Sequence, residues 1–297
     1  MITISRILCP VDFSECSGRA VAYAVAMARW YQARLTILHV WVNLASLDLP
    51  PLVLEEDERR TLLDEMGRFS GPHGGVPIDL HVREASDVHQ GILDHAEALG
   101  ADLLVLGSHG RKGIQRLLLG SVTERLLRKV TCPVMVVPSG APDAARDGSV
   151  RFKRILCPVD FSEASLTALT YALSIAQESD ATLTVMHAVD IPPELSEYMP
   201  PADFNLDAIR TTAVANSLER LRELIPDSPR MFCTVETTVA EGVAYRQVLK
   251  VAADRHSDLI VMGVHGRGAL DLFFFGSNTA RVTRAATCPV LVLRERS

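Results

Sequence analysis

The string Arg6-Ile7-Leu8-Cys9-Pro10-Val11-Asp12-Phe13-Ser14-Glu15 returns without change as Arg154-Ile155-Leu156-Cys157-Pro158-Val159-Asp160-Phe161-Ser162-Glu163. Ten identical residues in a row are no accident of composition, so the 297-residue chain is read as two copies of one unit before any element is assigned. Outward from that string the order is kept. Leu38-His39 answers Met186-His187, Asp102-Leu103-Leu104-Val105-Leu106-Gly107 answers Asp258-Leu259-Ile260-Val261-Met262-Gly263, and Thr131-Cys132-Pro133-Val134 answers Thr287-Cys288-Pro289-Val290. The offset grows from 148 at the first string to 156 at the glycines, so the second copy holds eight more residues between them, a change that loops absorb. Pro138 to Ser149 has no apolar period and abundant turn chemistry. This gives a first domain over residues 1–138, a linker over 139–152 and a second domain over 153–297.

Within the first copy, short runs rich in Val, Ile and Leu at 6–11, 34–41, 76–83, 102–107 and 133–137 read as strands covered on both faces. Helical patterns lie between them near 15–31, 54–70, 87–99 and 121–130. The second copy repeats the strands at 154–159, 181–189, 230–237, 258–263 and 289–293. Each parallel return needs a crossover, so the alternation predicts an α/β chain of two doubly wound, five-stranded parallel sheets. The final strands, Val134-Met135-Val136-Val137 and Val290-Leu291-Val292-Leu293, are apolar edges in want of a partner. They are expected to pair within the chain as a pseudo-dimer, and between two chains as a homodimer.

The formal net charge is -6 and no basic stripe stands out, which argues against a nucleic-acid surface. The N-terminus lacks the pattern of a signal peptide and no apolar run approaches the roughly 20 residues of a membrane span, so a cytoplasmic protein without membrane contact is expected. Of the six cysteines, Cys9, Cys132, Cys157 and Cys288 each precede a proline beside a strand, with Cys16 and Cys233 alone; small buried hydrophobes are expected rather than disulfides or metal ligands.

In open α/β sheets ligands bind beyond the carboxyl ends of the strands. Two features fall there. Pro10-Val11-Asp12 and Pro158-Val159-Asp160 close the first strands. After the fourth strands come Leu106-Gly107-Ser108-His109-Gly110, nine residues Arg111 to Leu119 and Gly120-Ser121-Val122, matched by Met262-Gly263-Val264-His265-Gly266, nine residues Arg267 to Phe275 and Gly276-Ser277-Asn278. Glycine permits close backbone approach and positive φ, and Gly-Ser opens a helix whose free amides attract phosphate.

Other readings compete at these positions. Ser121-Val122-Thr123-Glu124 fits a capping box, whereas Ser277-Asn278-Thr279-Ala280 lacks the acid, so the second helix terminus is expected to be the more open. Asp12 and Asp160 are candidate helix caps, as are Ser14 and Ser162. Arg111, Lys112 and Arg116 stand against Arg267, Asp271 and Phe273-Phe274-Phe275, an asymmetry that predicts a stronger preference for triphosphates in the first loop. His109 and His265 lack a carboxylate at fixed spacing and read as phosphate or loop-ordering contacts rather than bases; His39 and His187 read as satisfied sheet-edge histidines. His73, His81, His89 and His95 have no second-copy equivalents, which argues against a shared metal site.

Together these residues resemble the universal stress protein family, whose nucleotide-binding members carry Gly-x2-Gly-x9-Gly-(Ser/Thr) and an Asp closing the first strand. The resemblance spans both copies and leaves out the linker and the loops Asn43 to Glu55 and Asp190 to Asp207. It implies an adenine nucleotide α-hydrolase-like, Rossmann-like fold holding ATP, or ADP or AMP, in each copy. By resemblance, Asp12 and Asp160 reach the ribose, and the backbones of Val40 and Ala188 meet the adenine edge. Gly107, Gly110, Gly120 and Ser121 cradle ribose and phosphates in the first copy, as do Gly263, Gly266, Gly276 and Ser277 in the second. The same contact sets take in Pro10, Val11, Leu106, His109, Arg111 and Val122, and Pro158, Val159, Met262, His265, Arg267 and Asn278. Mg²⁺ or Mn²⁺ would ride on the phosphates. No Gly-x4-Gly-Lys-(Ser/Thr) loop or paired acidic metal ligands accompany the glycines, so the expected role is nucleotide-dependent conformation or partner choice in stress response or signalling, with no named catalytic residue. The alternatives are a weak ATPase and an assembly scaffold with vestigial sites.

Overall fold

The computed structural model describes residues 2–43, 54–71, 75–110, 119–142, 152–190, 206–225, 233–264 and 276–294. In the first copy, strands β1 (Arg6–Pro10), β2 (Arg34–Val42), β3 (Ile78–Ala85), β4 (Leu103–Gly107) and β5 (Val134–Val137) alternate with helices α1 (Glu15–Tyr31), α2 (Glu56–Ser70), α3 (Val88–Leu99) and α4 (Ser121–Lys129). The second copy repeats them as β6 (Arg154–Pro158), α5 (Glu163–Ser179), β7 (Thr182–Val189), α6 (Leu206–Glu223), β8 (Thr234–Glu241), α7 (Ala244–Asp254), β9 (Leu259–Gly263), α8 (Ser277–Ala285) and β10 (Val290–Leu293).

The apolar runs work because successive strand side chains point to opposite faces. Ile7 and Cys9 of β1 enter the core under α1 and α2, where Val21, Met27 and Met66 meet them. Leu8 enters the core under α3 and α4, with Ile92, Leu126 and Leu127. A strand buried on both sides has no polar alternation to show, and the helices cover both faces as a doubly wound sheet requires. The outer strands differ from expectation. β3 runs over 78–85 rather than 76–83, and β8 over 234–241 rather than 230–237. Each is an edge strand, and its ends are set by pairing with β2 or β7, from Leu35 opposite Ile78 to Val42 opposite Ala85 and from Thr182 opposite Thr234 to Val189 opposite Glu241. The apolar run alone therefore misses the far ends of these strands, Glu84-Ala85 and Thr238 to Glu241.

The strand order is β3-β2-β1-β4-β5-β10-β9-β6-β7-β8 in one ten-stranded sheet. Each half is parallel; the seam between them is antiparallel, with Val136 opposite Val290, Met135 opposite Leu291 and Val134 opposite Val292. Met135 and Leu291 are equivalent positions of the repeat (291 − 135 = 156), so the pseudo-twofold axis passes between them. The expected pseudo-dimer is therefore built within one chain. The expected homodimer through the final strands meets an obstacle: β5 lies between β4 and β10, and β10 between β9 and β5, so neither retains an edge for a second chain. Contacts from side chains reinforce the seam. Arg294, at the end of β10, donates to the carbonyls of Leu127 (2.8 Å) and Arg128 in the last turn of α4. Among the described residues no helix is long and apolar enough to cross a membrane.

Candidate functional site

β1 lies between β2 and β4, so the chain leaves it in opposite directions at the carboxyl edge of the sheet. At that switch point opens a cavity of about 680 Å³. The exit of β1 contributes Pro10, Val11 and Asp12, the end of β2 contributes Val40, and the exit of β4 contributes Leu106, Gly107, His109 and Gly110. Gly120, Ser121 and Val122 close it at the start of α4. These sequence-selected residues thus converge on one space; Arg111, Lys112 and Arg116 lie outside the described residues. The sequence reading left Ser17, Leu38, Val88, Ile92, Leu119 and Leu126 out of the site and gave His39 and Thr123 structural roles, and all of these also line it. Most are apolar helix or strand positions that look like ordinary core until the cavity is seen, and only the repeated His39 and His187 carried a signal.

Asp12 is oriented by the turn that starts α1. Its Oδ1 accepts from the amide (3.1 Å) and hydroxyl (2.6 Å) of Ser14, while Phe13 takes a left-handed φ of 62°. Ser14 itself caps the helix, accepting from the Ser17 amide at 3.2 Å. The second copy reproduces this: Asp160 accepts from Ser162 at 3.1 and 2.6 Å, with Phe161 at φ 65°. The serine takes the capping role in both copies, and in the first copy Oδ2 of Asp12 faces Gly110. His39 Nδ1 donates to the Val11 carbonyl at 2.9 Å and His187 Nδ1 to that of Val159 at 2.6 Å, locking the ends of the first two strands together.

Of the two reasons expected for the glycines, close approach holds and positive φ does not. None of Gly107, Gly110, Gly120, Gly263 and Gly276 has a positive φ. What they lack is a Cβ. At Gly107 it would stand 2.9 Å from Cys16 Sγ and 3.0 Å from the Cys16 backbone, and at Gly263 2.7 Å from the Ala164 carbonyl carbon, so these two let α1 and α5 close on β4 and β9. At Gly110 it would stand 2.5 Å from Asp12 Oδ2. Gly263→Ala should therefore destabilise the protein by about 1–3 kcal/mol, the usual penalty of overpacking against unyielding backbone, measured by urea unfolding. An unchanged midpoint would show that α5 moves freely.

The start of α4 is held against the end of β4 by a clasp. Gly120 N donates to Ser108 O at 2.8 Å and Thr123 Oγ1 to Gly107 O at 3.0 Å; Gly276 N to Val264 O at 3.0 Å and Thr279 Oγ1 to Gly263 O at 2.9 Å are their counterparts. The N-caps are Gly120 and Gly276, and neither helix receives a side-chain cap. The expected capping box is absent because Ser121 is already the first helical residue, and Glu124 turns to Arg128 at 2.8 Å. The predicted difference in capping between the copies does not exist. Both helix ends offer unpaired amides toward the loop.

In the second copy, Pro158, Val159 and Asp160 leave β6, Ala188 lies near the end of β7, and Met262 and Gly263 end β9, with Gly276, Ser277 and Asn278 opening α8. His265, Gly266, Arg267, Asp271 and Phe273 to Phe275 lie outside the described residues, so the comparison of loop cations does too. Among the described residues, no three His, Cys, Asp or Glu side chains group as a metal set. Burial pushes the Cys132 thiol up to about 11 and that of Cys288 up to about 12, and raises Cys9 and Cys157 as well. These four remain protonated thiols that pack as small hydrophobes.

The model of the universal stress protein family matches residues 3–138 and again residues 151–294. The chain belongs to the universal stress protein family. A universal stress protein of Mycobacterium tuberculosis is 31% identical over 297 residues, which cover 96% of this chain and 95% of that one. A universal stress protein of Mycolicibacterium smegmatis is 29% identical over 304 residues, covering 98% and 97%. The crystal structure of a universal stress protein from Archaeoglobus fulgidus superposes with a TM-score of 0.68 at 20% identity, covering 98% of each chain, a likeness of fold. Two universal stress units in tandem, with their sheets joined, thus describe the whole chain.

Proposed function

We propose that this tandem universal stress protein binds an adenine nucleotide, ATP or its ADP or AMP relatives, in each half, and that occupancy changes its conformation or choice of protein partner in a cytoplasmic stress or signalling response. The observation that carries the reading is the cavity at the switch point, about 680 Å³ and within the roughly 300–1,000 Å³ usual for ligand sites. One wall is apolar, from Val40, Val88, Ile92 and Leu126, and suits a flat purine. The other end holds Asp12, a hydroxyl acceptor for ribose, and the open amides of α4, which favour phosphate. In this reading the units over 1–138 and 153–297, joined by 139–152, each hold one nucleotide. Arg111 in the first half and His265, Gly266 and Arg267 in the second belong to the loops around the phosphates. Mg²⁺ or Mn²⁺ would arrive with the phosphates and be held mainly by them. The role is binding, with hydrolysis slow or absent.

Native mass spectrometry of the purified protein, followed by identification of what is released on denaturation, tests this. Two adenine nucleotides per chain are expected in the presence of ATP. Failure of the intact protein to retain any adenine nucleotide would overturn the reading in favour of an assembly scaffold.

A further inference from the structure

The two halves differ at the residue after the strand-four glycine: Ser108 in the first, Val264 in the second. Ser108 is buried, 1% exposed, and its Oγ lies 2.8 Å from His109 Nδ1 and 3.8 Å from Cys16 Sγ. Cys16 Sγ also lies 3.6 Å from the Val137 carbonyl. In the second half both members change together, Ala164 standing for Cys16 and Val264 for Ser108. The polar chain behind the loop histidine therefore belongs to the first half alone.

Proton placement follows from the strengths of the acceptors. A thiol sulfur accepts weakly and an imidazole nitrogen strongly, so the Ser108 hydroxyl donates to His109 Nδ1, and the Cys16 thiol is left to the Val137 carbonyl or the serine oxygen. A neutral imidazole that accepts at Nδ1 carries its hydrogen on Nε2. That Nε2 is buried, has no hydrogen-bond partner among the described residues, and belongs to a ring that lines the cavity. A buried donor without an acceptor is costly, and a ligand oxygen would relieve it.

We propose that Ser108 is a positioning residue that holds His109 as an Nε2–H donor for the phosphates of a nucleotide in the first half. The inference rests on the nucleotide reading above and adds to it a source of selectivity. The first half prefers nucleotides with phosphates over the bare nucleoside through a hydrogen bond from His109 Nε2, and the second half lacks the serine that would preset its own histidine.

The test uses the full chain carrying Gly266→Val, chosen to confine binding to the first half. Side-chain ¹⁵N NMR reads the His109 tautomer, and calorimetry reads ATP and adenosine binding. The parent is expected in the Nε2–H form. Ser108→Ala should mix the tautomers and free the ring, weakening ATP at least about twofold and at most about tenfold, the loss of the whole hydrogen bond to a charged group, while adenosine is unchanged. The double variant Cys16→Ala/Ser108→Val, which installs the second half's own pair, should do the same, and Ser108→Thr should restore both readouts. An Nδ1–H tautomer in the parent, ATP affinity untouched by Ser108→Ala, or equal losses for ATP and adenosine would each overturn the proposal. A parent that binds neither ligand would instead sink the nucleotide reading, and the phosphate grip with it, even if NMR found the Nε2–H form.

Discussion

Gly110→Val will weaken ATP binding in the first half by about 100-fold or more and leave the unfolding transition nearly in place. A Cβ at this position would stand 2.5 Å from Asp12 Oδ2, so the carboxylate must swing away. Swinging it breaks the bonds at 3.1 and 2.6 Å that Ser14 gives it. The two methyl groups then fill the gap between Asp12 and the loop. Loss of the Asp12 contact to the ribose and of one contact from the displaced loop to the nucleotide, at about 1.5 kcal/mol each, accounts for roughly 100-fold, and the steric block adds to it. Gly110 is itself exposed, so the cost to stability stays near 1 kcal/mol, that of the loosened Asp12 turn. Calorimetry should show stoichiometry falling from two nucleotides per chain to one. Two full-affinity sites in the variant would remove Asp12 and its loop from the binding machinery.

At the seam, Leu291→Asp should lower stability by about 3–5 kcal/mol, the cost of an unpaired charge in a packed interior. Leu291 is 2% exposed and sits opposite Met135, which is 0% exposed. Both belong to one core that also contains Val105 and Ile7 of the first half and Ile155 and Val261 of the second. The damage therefore reaches both halves. A single calorimetric transition in the parent is expected to drop by about 10 °C, at the roughly 2–4 °C per kcal/mol of chains this large, or to split in two. The penalty should shrink as pH falls, because burial raises the introduced carboxyl's pKa and favours its neutral form. Leu291→Met, which installs the residue of the equivalent position, should cost under about 1.5 kcal/mol. An aspartate variant as stable as the parent at neutral pH would mean the seam opens readily.

The repeat made most of the fold legible. Strands buried on both faces write themselves as apolar runs, so β1, β2 and β4 fall where Ile7, Ile37 and Val105 placed them. Edge strands do not: β3 and β8 shift because a neighbour's register, not burial, sets their ends. The candidate site was legible as far as residues marked by type. Gly107 and Gly263 were found, but their reason, contact with Cys16 and Ala164 on a helix some 90 to 100 residues earlier in the chain, is a distance that spacing cannot express. The capping box read at Ser121 failed because the helix begins one residue sooner than the motif requires. Val88 and Ile92 read as ordinary helix core because the cavity they face exists only after α3 is folded over β2. The exchange of Ser108 for Val264 was visible as a difference and acquired meaning only beside His109.

The antiparallel seam has one more consequence. Two separate chains joined edge to edge in this way come apart on dilution and exchange partners, and their pairing depends on how much protein is present. Here both sides of the seam are synthesised as one molecule, so the halves meet at a local concentration set by the tether rather than by expression level. Their ratio is always one to one. A substitution such as Ser108 for valine can then be kept on one side without ever being averaged over a mixed population of dimers.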